Sequence, residues 1–252
     1  MSSGRDESTM VLFDVDGTLT KPRNPVTGDM LQALEQLRER VEVALVGGSR
    51  IGLIEEQMGA EILRKVDYVF AENGLSAYRH GELFASTSIK ETLGEQALQR
   101  LINECLYYIA ALKIPHKRGT FIEFRTGMLN VSPIGRNCTQ EERDAFEQYD
   151  KHHHVRQHMI EHLQQRLPDL PLVYSIGGQI SFDVMPIGWT KEYTLRYLPD
   201  TQYRRIVFFG DKCYPGGNDW EIYSHVRVEG HAVSGPDDTL QQLHAMFLQE
   251  QS

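Results

Sequence analysis

Apolar positions in the first seventy residues switch between two periods. Met10 to Phe13 is a short, uninterrupted apolar run that ends at Asp14, the pattern of a buried strand. A loop through Gly17, Pro22 and Pro25 follows, and then Met30, Leu31, Leu34 and Leu37 fall at helical spacing. Val41 to Val46 predicts a second strand, stopped by Gly47 and Gly48. Ile51 to Lys65 predicts a helix and Tyr68 to Phe70 a third strand. Strands and helices taken in turn predict a parallel α/β sheet with right-handed crossovers.

Past Gly74 the pattern changes. Leu75 to Phe84, with His80-Gly81 at its centre, predicts a β-hairpin. A long helix is expected over about Ile89 to Leu112, then strands at Thr120–Arg125 and Met128–Ser132. A strongly polar helix follows over about Gln140 to Arg166, then strands at Leu172–Ser175 and Ile180–Val184. Helices segregated from strands indicate an α+β module. After Pro186 and Gly188 the α/β character returns, with a helix from Lys191, a strand at Ile206–Phe209 and another around Ala232–Val233. A last helix starts after Pro236 and runs through Leu240, Leu243 and Phe247. The expected organisation is a discontinuous α/β core, residues 1–86 and 188–252, interrupted by an α+β cap over 87–187. The polar residues before Thr9 are expected to fray.

Composition narrows the function. With 252 residues, 40% of them hydrophobic, there is enough apolar material for a sizeable core. A net charge of −9 argues against a general nucleic-acid binder, which needs clustered Lys and Arg, but leaves an anionic small substrate open. Cys105, Cys138 and Cys213 are odd in number and lack metal-type spacing, so free thiols in a reduced compartment are expected. The N-terminus has no signal-type apolar core, and no apolar run approaches the ~20 residues of a membrane span. The expectation is a cytoplasmic protein without a membrane partner.

The chemistry concentrates where strands end. Asp14 and Asp16 in Phe13-Asp14-Val15-Asp16-Gly17-Thr18 are two residues apart, so both can project to the same side of the strand end, the ligand-binding end of open α/β sheets. Two carboxylates so close repel each other, and a divalent cation resolves the conflict; Mg²⁺ suits one or two carboxylates plus a substrate phosphate. An Asp carboxylate is also a nucleophile towards phosphorus. Read alone, the motif also admits a plain strand end followed by an Asx-type turn, the weaker of the two readings. Val46-Gly47-Gly48-Ser49 then adds a hydroxyl and exposed amides at the second strand end. Lys191 adds a cation. Phe208-Phe209-Gly210-Asp211-Lys212, followed by Gly217-Asn218-Asp219, adds a further acidic loop. Acid, hydroxyl, cation and acid on successive strand-end loops point to phosphoryl transfer.

This ordered set resembles the haloacid-dehalogenase superfamily and, within it, the eukaryotic-type phosphomannomutases. The resemblance runs through Asp14-Val15-Asp16-Gly17-Thr18-Leu19-Thr20, Val46-Gly47-Gly48-Ser49, Phe70-Ala71-Glu72-Asn73-Gly74 and Gly210-Asp211-Lys212. In the cap it runs through Gly119–Arg125, Asn130–Arg136 and Gly177–Val184, which are more specific than the core motifs. It implies a Rossmann-like haloacid-dehalogenase core with a parallel sheet and an inserted α+β cap. It further implies Asp14 as nucleophile, Asp16 as general acid and base, and Mg²⁺ held by Asp14, Asp211 and the main-chain carbonyl of Asp16. Ser49 and Lys191 match phosphate-contacting positions, and Arg23, Arg125, Arg136, Arg143, Ser181 and Asp183 match sugar-phosphate contacts. A hexose 1,6-bisphosphate activator and a homodimer formed through the cap are implied as well. The chain departs from the family at Arg50 and Thr190, where an acid is often found, and at His225 in the second-cation loop.

The cap arginines make sense on their own, since planar guanidinium groups grip phosphate bidentately. A phosphatase holds one phosphate, whereas a mutase holds a second while the first reacts. Arg143, inside Glu141-Glu142-Arg143, also fits a surface ion pair, and His152-His153-His154 on the same charged helix reads as a solvated face. The implied activity is interconversion of mannose 6-phosphate and mannose 1-phosphate, supplying GDP-mannose synthesis. The competing readings are a sugar-phosphate phosphatase with water as acceptor, and a non-catalytic sugar-phosphate binder.

Overall fold

The computed structural model describes residues 4–22 and 24–249. Along the chain come β1 (Asp6–Phe13), α1 (Gly28–Arg38), β2 (Val41–Val46), α2 (Ile51–Met58), α3 (Ile62–Lys65), β3 (Tyr68–Ala71), β4 (Ser76–Arg79) and β5 (Glu82–Ser86). Next are α4 (Ile89–Leu93), α5 (Glu95–Ala111), β6 (Ile122–Phe124), β7 (Leu129–Val131), α6 (Gln140–His153), α7 (Val155–Arg166), β8 (Leu172–Gly177) and β9 (Ser181–Pro186). A 3₁₀ segment (Lys191–Tyr197), β10 (Arg205–Gly210), α8 (Trp220–Tyr223), β11 (Val228–Ala232) and α9 (Pro236–Leu243), which runs on into a π-helical turn (His244–Leu248), follow. Two compact units result, Met1–Ser86 with Gly188–Ser252, and Thr87–Ile187. Among the described residues no helix is long and apolar enough to cross a membrane.

The first unit is a seven-stranded sheet in the order β11-β10-β1-β2-β3-β4-β5. Its first five strands are parallel, and the hairpin β4–β5 adds an antiparallel edge. The uninterrupted apolar runs reflect burial on both faces. Val11, Phe13, Val43, Leu45, Val207 and Phe209 pack with Met30, Leu34, Leu37 and Ile54 on one side. Met10, Leu12, Ala44, Val46, Ile206 and Phe208 pack with Leu195, Leu198 and Ile222 on the other. Phe13 and Phe209 stack at 5.2 Å at the carboxyl ends of adjacent strands, which seats Asp14 beside Gly210. Truncating either ring to Ala would cost about 3–5 kcal/mol.

The second unit is an antiparallel sheet, β6-β7-β9-β8. Its register places Glu123 opposite Asn130 and Asn130 opposite Asp183, so these polar residues run across one face of adjacent strands.

Several boundaries differ from the expectations. The segment before Thr9 is not frayed from Asp6 on: Asp6 N–H bonds to Arg40 O at 2.7 Å, and Arg5 pairs with the fully buried Asp67. The helix expected over Ile89–Leu112 is interrupted at Gly94, with φ +77. The helix expected over Gln140–Arg166 is broken at His154, in the left-handed region, where Asp150 turns its carboxylate onto the amide and guanidinium of Arg156. The segment from Lys191 is 3₁₀ rather than α. The late strand lies at Val228–Ala232, because its pairing with β10 fixes Gly210 opposite Ala232.

Candidate active site

The residues after β1 fold back at once. Leu19 and Thr20 donate their amides to Val15 O at 3.0 Å each, and Gly17 N–H donates to Thr20 O at 2.8 Å. Gly17 has φ +90, and a Cβ there would run into the Asp211 carboxylate, so the turn admits only glycine without rearrangement. The loop thereby brings Asp14 and Asp211 together from β1 and β10.

Lys191 is 1% exposed and its ammonium is held between Asp14 and Asp219, 2.5 Å from Asp219 Oδ1. Asp219 is completely buried, and its other oxygen accepts the Lys212 N–H at 3.0 Å. Burial pushes the Asp14 carboxyl up to about 6, against the pull of Lys191, while Asp219 adds to the rise. Burial also raises Asp211. For Lys191, burial acts to lower the ammonium, but Asp14 and Asp219 outweigh it and hold it above the ordinary lysine range.

Carboxylate oxygens of Asp14, Asp211 and Asp219 lie within 4.8 Å of one another. With all of them ionised they carry three negative charges against one on Lys191, a balance that suits a divalent cation. Both Asp219 oxygens are already engaged. Asp211 Oδ1, by contrast, is buried with no hydrogen-bond partner, a costly state for a carboxylate oxygen. All these ligand atoms are hard oxygens, the donor type of Mg²⁺. The residues therefore fit a metal.

A cavity of about 170 Å³ opens over this cluster, lined among others by Asp14, Asp16, Gly48, Ser49, Gln57, Lys212 and Asn218. The structure thus brings Asp14, Asp16, Ser49, Lys191 and Asp211 to one place. Asp219, Gln57 and Asn218 join them. Gln57 Nε2 donates to Asp16 Oδ1 at 2.6 Å and orients that carboxylate. Asp219 carries a signal in the sequence, since it closes the acidic loop after β10, but Gln57 is one of many polar residues at a helix end.

In the second unit a separate set converges. Arg125 Nη2 and Arg136 Nε both reach Glu123 Oε2 at 2.9 Å. Arg136 also donates to the carbonyl oxygen of the Asn130 side chain. Asn130 Nδ2 in turn donates to Ser181 Oγ at 3.1 Å and Asp183 Oδ1 at 2.7 Å. Arg143 is half-buried and donates to Arg136 O at 3.0 Å. Glu123 and Asn130, inside motifs read only for their neighbours, organise this set. His152, His153 and His154 are exposed. Arg23 lies outside the described residues.

Residues 30–249 match the family model of the eukaryotic phosphomannomutases. The chain is 56% identical to a phosphomannomutase of Dendrobium officinale over 99% of its own length and 98% of the relative's. It is 50% identical to phosphomannomutase 2 of Dictyostelium discoideum over 98% of its own length and 99% of the relative's. Among solved structures it is similar in fold to a trehalose-6-phosphate phosphatase of Aspergillus fumigatus (TM-score 0.60, 15% identity, 95% and 92% of the two chains). It is likewise similar to an IMP-nucleotidase of Plasmodium falciparum (TM-score 0.60, 14% identity, 96% and 68% of the two chains).

Proposed function

The chain belongs to the eukaryotic phosphomannomutase family, and on that premise we propose that it interconverts mannose 6-phosphate and mannose 1-phosphate. The reaction runs through an aspartyl-phosphate on Asp14 and a hexose 1,6-bisphosphate, which also serves as activator, and its product feeds GDP-mannose synthesis. One observation supports the reading: apart from the acidic cluster at Asp14 there is a second organised set, Arg125 and Arg136 paired with Glu123, whose planar guanidinium groups suit a phosphate. A mutase has two phosphates to hold.

In this account Asp16 takes the proton from the free hydroxyl of a hexose monophosphate, and that oxygen accepts the phosphoryl group from Asp14 in line. Lys191 offsets charge on the transferring group, and Ser49 with the amides of its loop binds the phosphate oxygens. Arg23, Arg125, Arg136, Arg143, Ser181 and Asp183 hold the sugar and its other phosphate. The bisphosphate then turns end for end and returns its second phosphate to Asp14. A bound Mg²⁺, held by Asp14, Asp211 and the Asp16 carbonyl, would supply charge neutralisation at the phosphoryl group. Asp219, engaged by Lys191 and the Lys212 amide, orients the lysine.

We further propose a cytoplasmic homodimer joined through the cap. Free Cys105, Cys138 and Cys213 support the location, and the exposed apolar side chains of Leu106, Tyr107, Val173 and Ile176 support the cap contact. The activity is tested by supplying mannose 1-phosphate, and separately glucose 1-phosphate, with and without hexose 1,6-bisphosphate, and resolving the products. Bisphosphate-dependent mannose 6-phosphate is expected. Inorganic phosphate as the main product would instead establish the phosphatase reading, and tight binding without turnover the non-catalytic one.

A further inference from the structure

We infer that Asn73 is a positioning residue that fixes Ser49 and Lys191 relative to each other, an assignment that rests on reading both as phosphate-holding residues. Glu72, Asn73 and Gly74 are consecutively left-handed, with φ of 50°, 61° and 92°. Two adjacent non-glycine residues hold that conformation only where their surroundings over-determine it. Here the surroundings are the two loops that carry the phosphate ligands.

On one side the turn hands two amides to the loop after β2. Glu72 N–H donates to Ser49 O at 3.0 Å, and Asn73 N–H donates to Gly47 O at 2.9 Å. On the other side Asn73 Nδ2 donates to Trp189 O at 3.2 Å, two residues before Lys191. Gly74 lies so close to Thr194 that a Cβ would come within 2.8 Å of its methyl group, and Thr194 Oγ1 donates to Lys191 O at 2.8 Å. The same three residues therefore grip both loops, which come from opposite ends of the discontinuous core. Asparagine suits this position because it tolerates the left-handed region and also carries a donor. Glycine supplies only the first property, and aspartate would face the Trp189 carbonyl with an acceptor.

Ser49 and Lys191 must meet one phosphoryl group at the same moment, and a misplacement of about 1 Å in such a constellation costs about a hundredfold in rate. Asn73→Gly keeps the backbone and removes the donor. It is expected to lower kcat about ten- to a hundredfold, with KM for the hexose phosphate within about twofold. If it acts by loosening Lys191 relative to Ser49, its effect shrinks to about threefold or less in a Ser49→Ala background, where that pairing is already lost, the non-additivity of coupled sites. Thermal melting checks that each protein is folded, and Asn73→Asp carries the same cycle should the glycine variant melt below the assay temperature. Wild-type kcat in Asn73→Gly, or an undiminished loss in the Ser49→Ala background, would overturn the assignment. The wild-type products decide the functional reading separately. Should they be only sugar and inorganic phosphate, that reading fails, while the cycle scored on phosphate release still tests Asn73.

Discussion

The acidic cluster around Asp14 and the arginine cluster around Glu123 are built on opposite plans. In the first unit, Asp14, Lys191 and Asp219 have side chains no more than 6% exposed, and they arrive from β1, the 3₁₀ segment and the loop after β10. In the second unit, Arg125, Arg136 and Glu123 are 31–39% exposed and come from one short stretch around β6 and β7. Charge in the dry cluster interacts strongly and is fixed before any substrate arrives, as a group that must act on a transition state requires. Charge in the wetter cluster is partly screened and suits a phosphate that must be released, turned and caught again. On the proposed function, chemistry falls to the first set and grip to the second.

The largest effect that would break this division is at the nucleophile. Asp14→Asn keeps the shape of the side chain and removes the attacking carboxylate, so no phosphoenzyme and no isomerisation are expected, with the fold retained. Substantial turnover in this variant, with wild-type contamination excluded by mass spectrometry, would move the chemistry elsewhere. Next in size is Asp16→Asn, expected to slow turnover by about 10²–10⁴-fold while sugar-phosphate binding changes far less. Equal losses in binding and rate would make Asp16 a structural residue.

The grip set should respond in the other coordinate. Charge-assisted hydrogen bonds contribute roughly 1.5–3 kcal/mol each, so Arg125→Ala or Arg136→Ala should weaken hexose phosphate binding about ten- to a hundredfold. Both should also raise the ratio of phosphate release to isomerisation, because a loosely held intermediate leaves and water reaches the phosphoenzyme. Unchanged affinity and ratio in both variants would reduce these arginines to ordinary surface charges.

How much of this was legible beforehand follows from the same contrast. The parallel sheet was readable because its strands are buried on both faces, which leaves apolar runs at β1 and β10 and, broken only by Glu42, at β2. Asp14 and Asp211 announced themselves because each follows such a run directly. The breaks at Gly94 and His154 were harder: apolar periodicity continues across them, and the cause of the second is a tertiary contact, Asp150 with Arg156. Residues that work by holding others were also hidden. Gln57 and Asn130 are ordinary polar residues until the fold aims them at Asp16 and at Ser181 and Asp183.

The smallest expected effect sharpens the comparison by showing where the two units are alike. Burial pushes the thiols of Cys105, in the cap, and Cys213, in the core, up to about 12 from 9.0. At pH 8 their thiolate fraction should therefore be about a thousandfold below that of the unfolded chain, and alkylation of both correspondingly slow until denaturant is added. Fast labelling of Cys105 in the folded protein would show that the cap opens locally where the core does not.

The claim that Asp14 passes phosphate to a sugar is tested most directly by following one labelled phosphoryl group. The enzyme is phosphorylated with ³²P-hexose 1,6-bisphosphate, freed of ligand, and chased with unlabelled mannose 1-phosphate. The account predicts that the label leaves Asp14 for hexose bisphosphate and then mannose 6-phosphate, with little inorganic phosphate. Label recovered only as inorganic phosphate, or found on a residue other than Asp14, would contradict it.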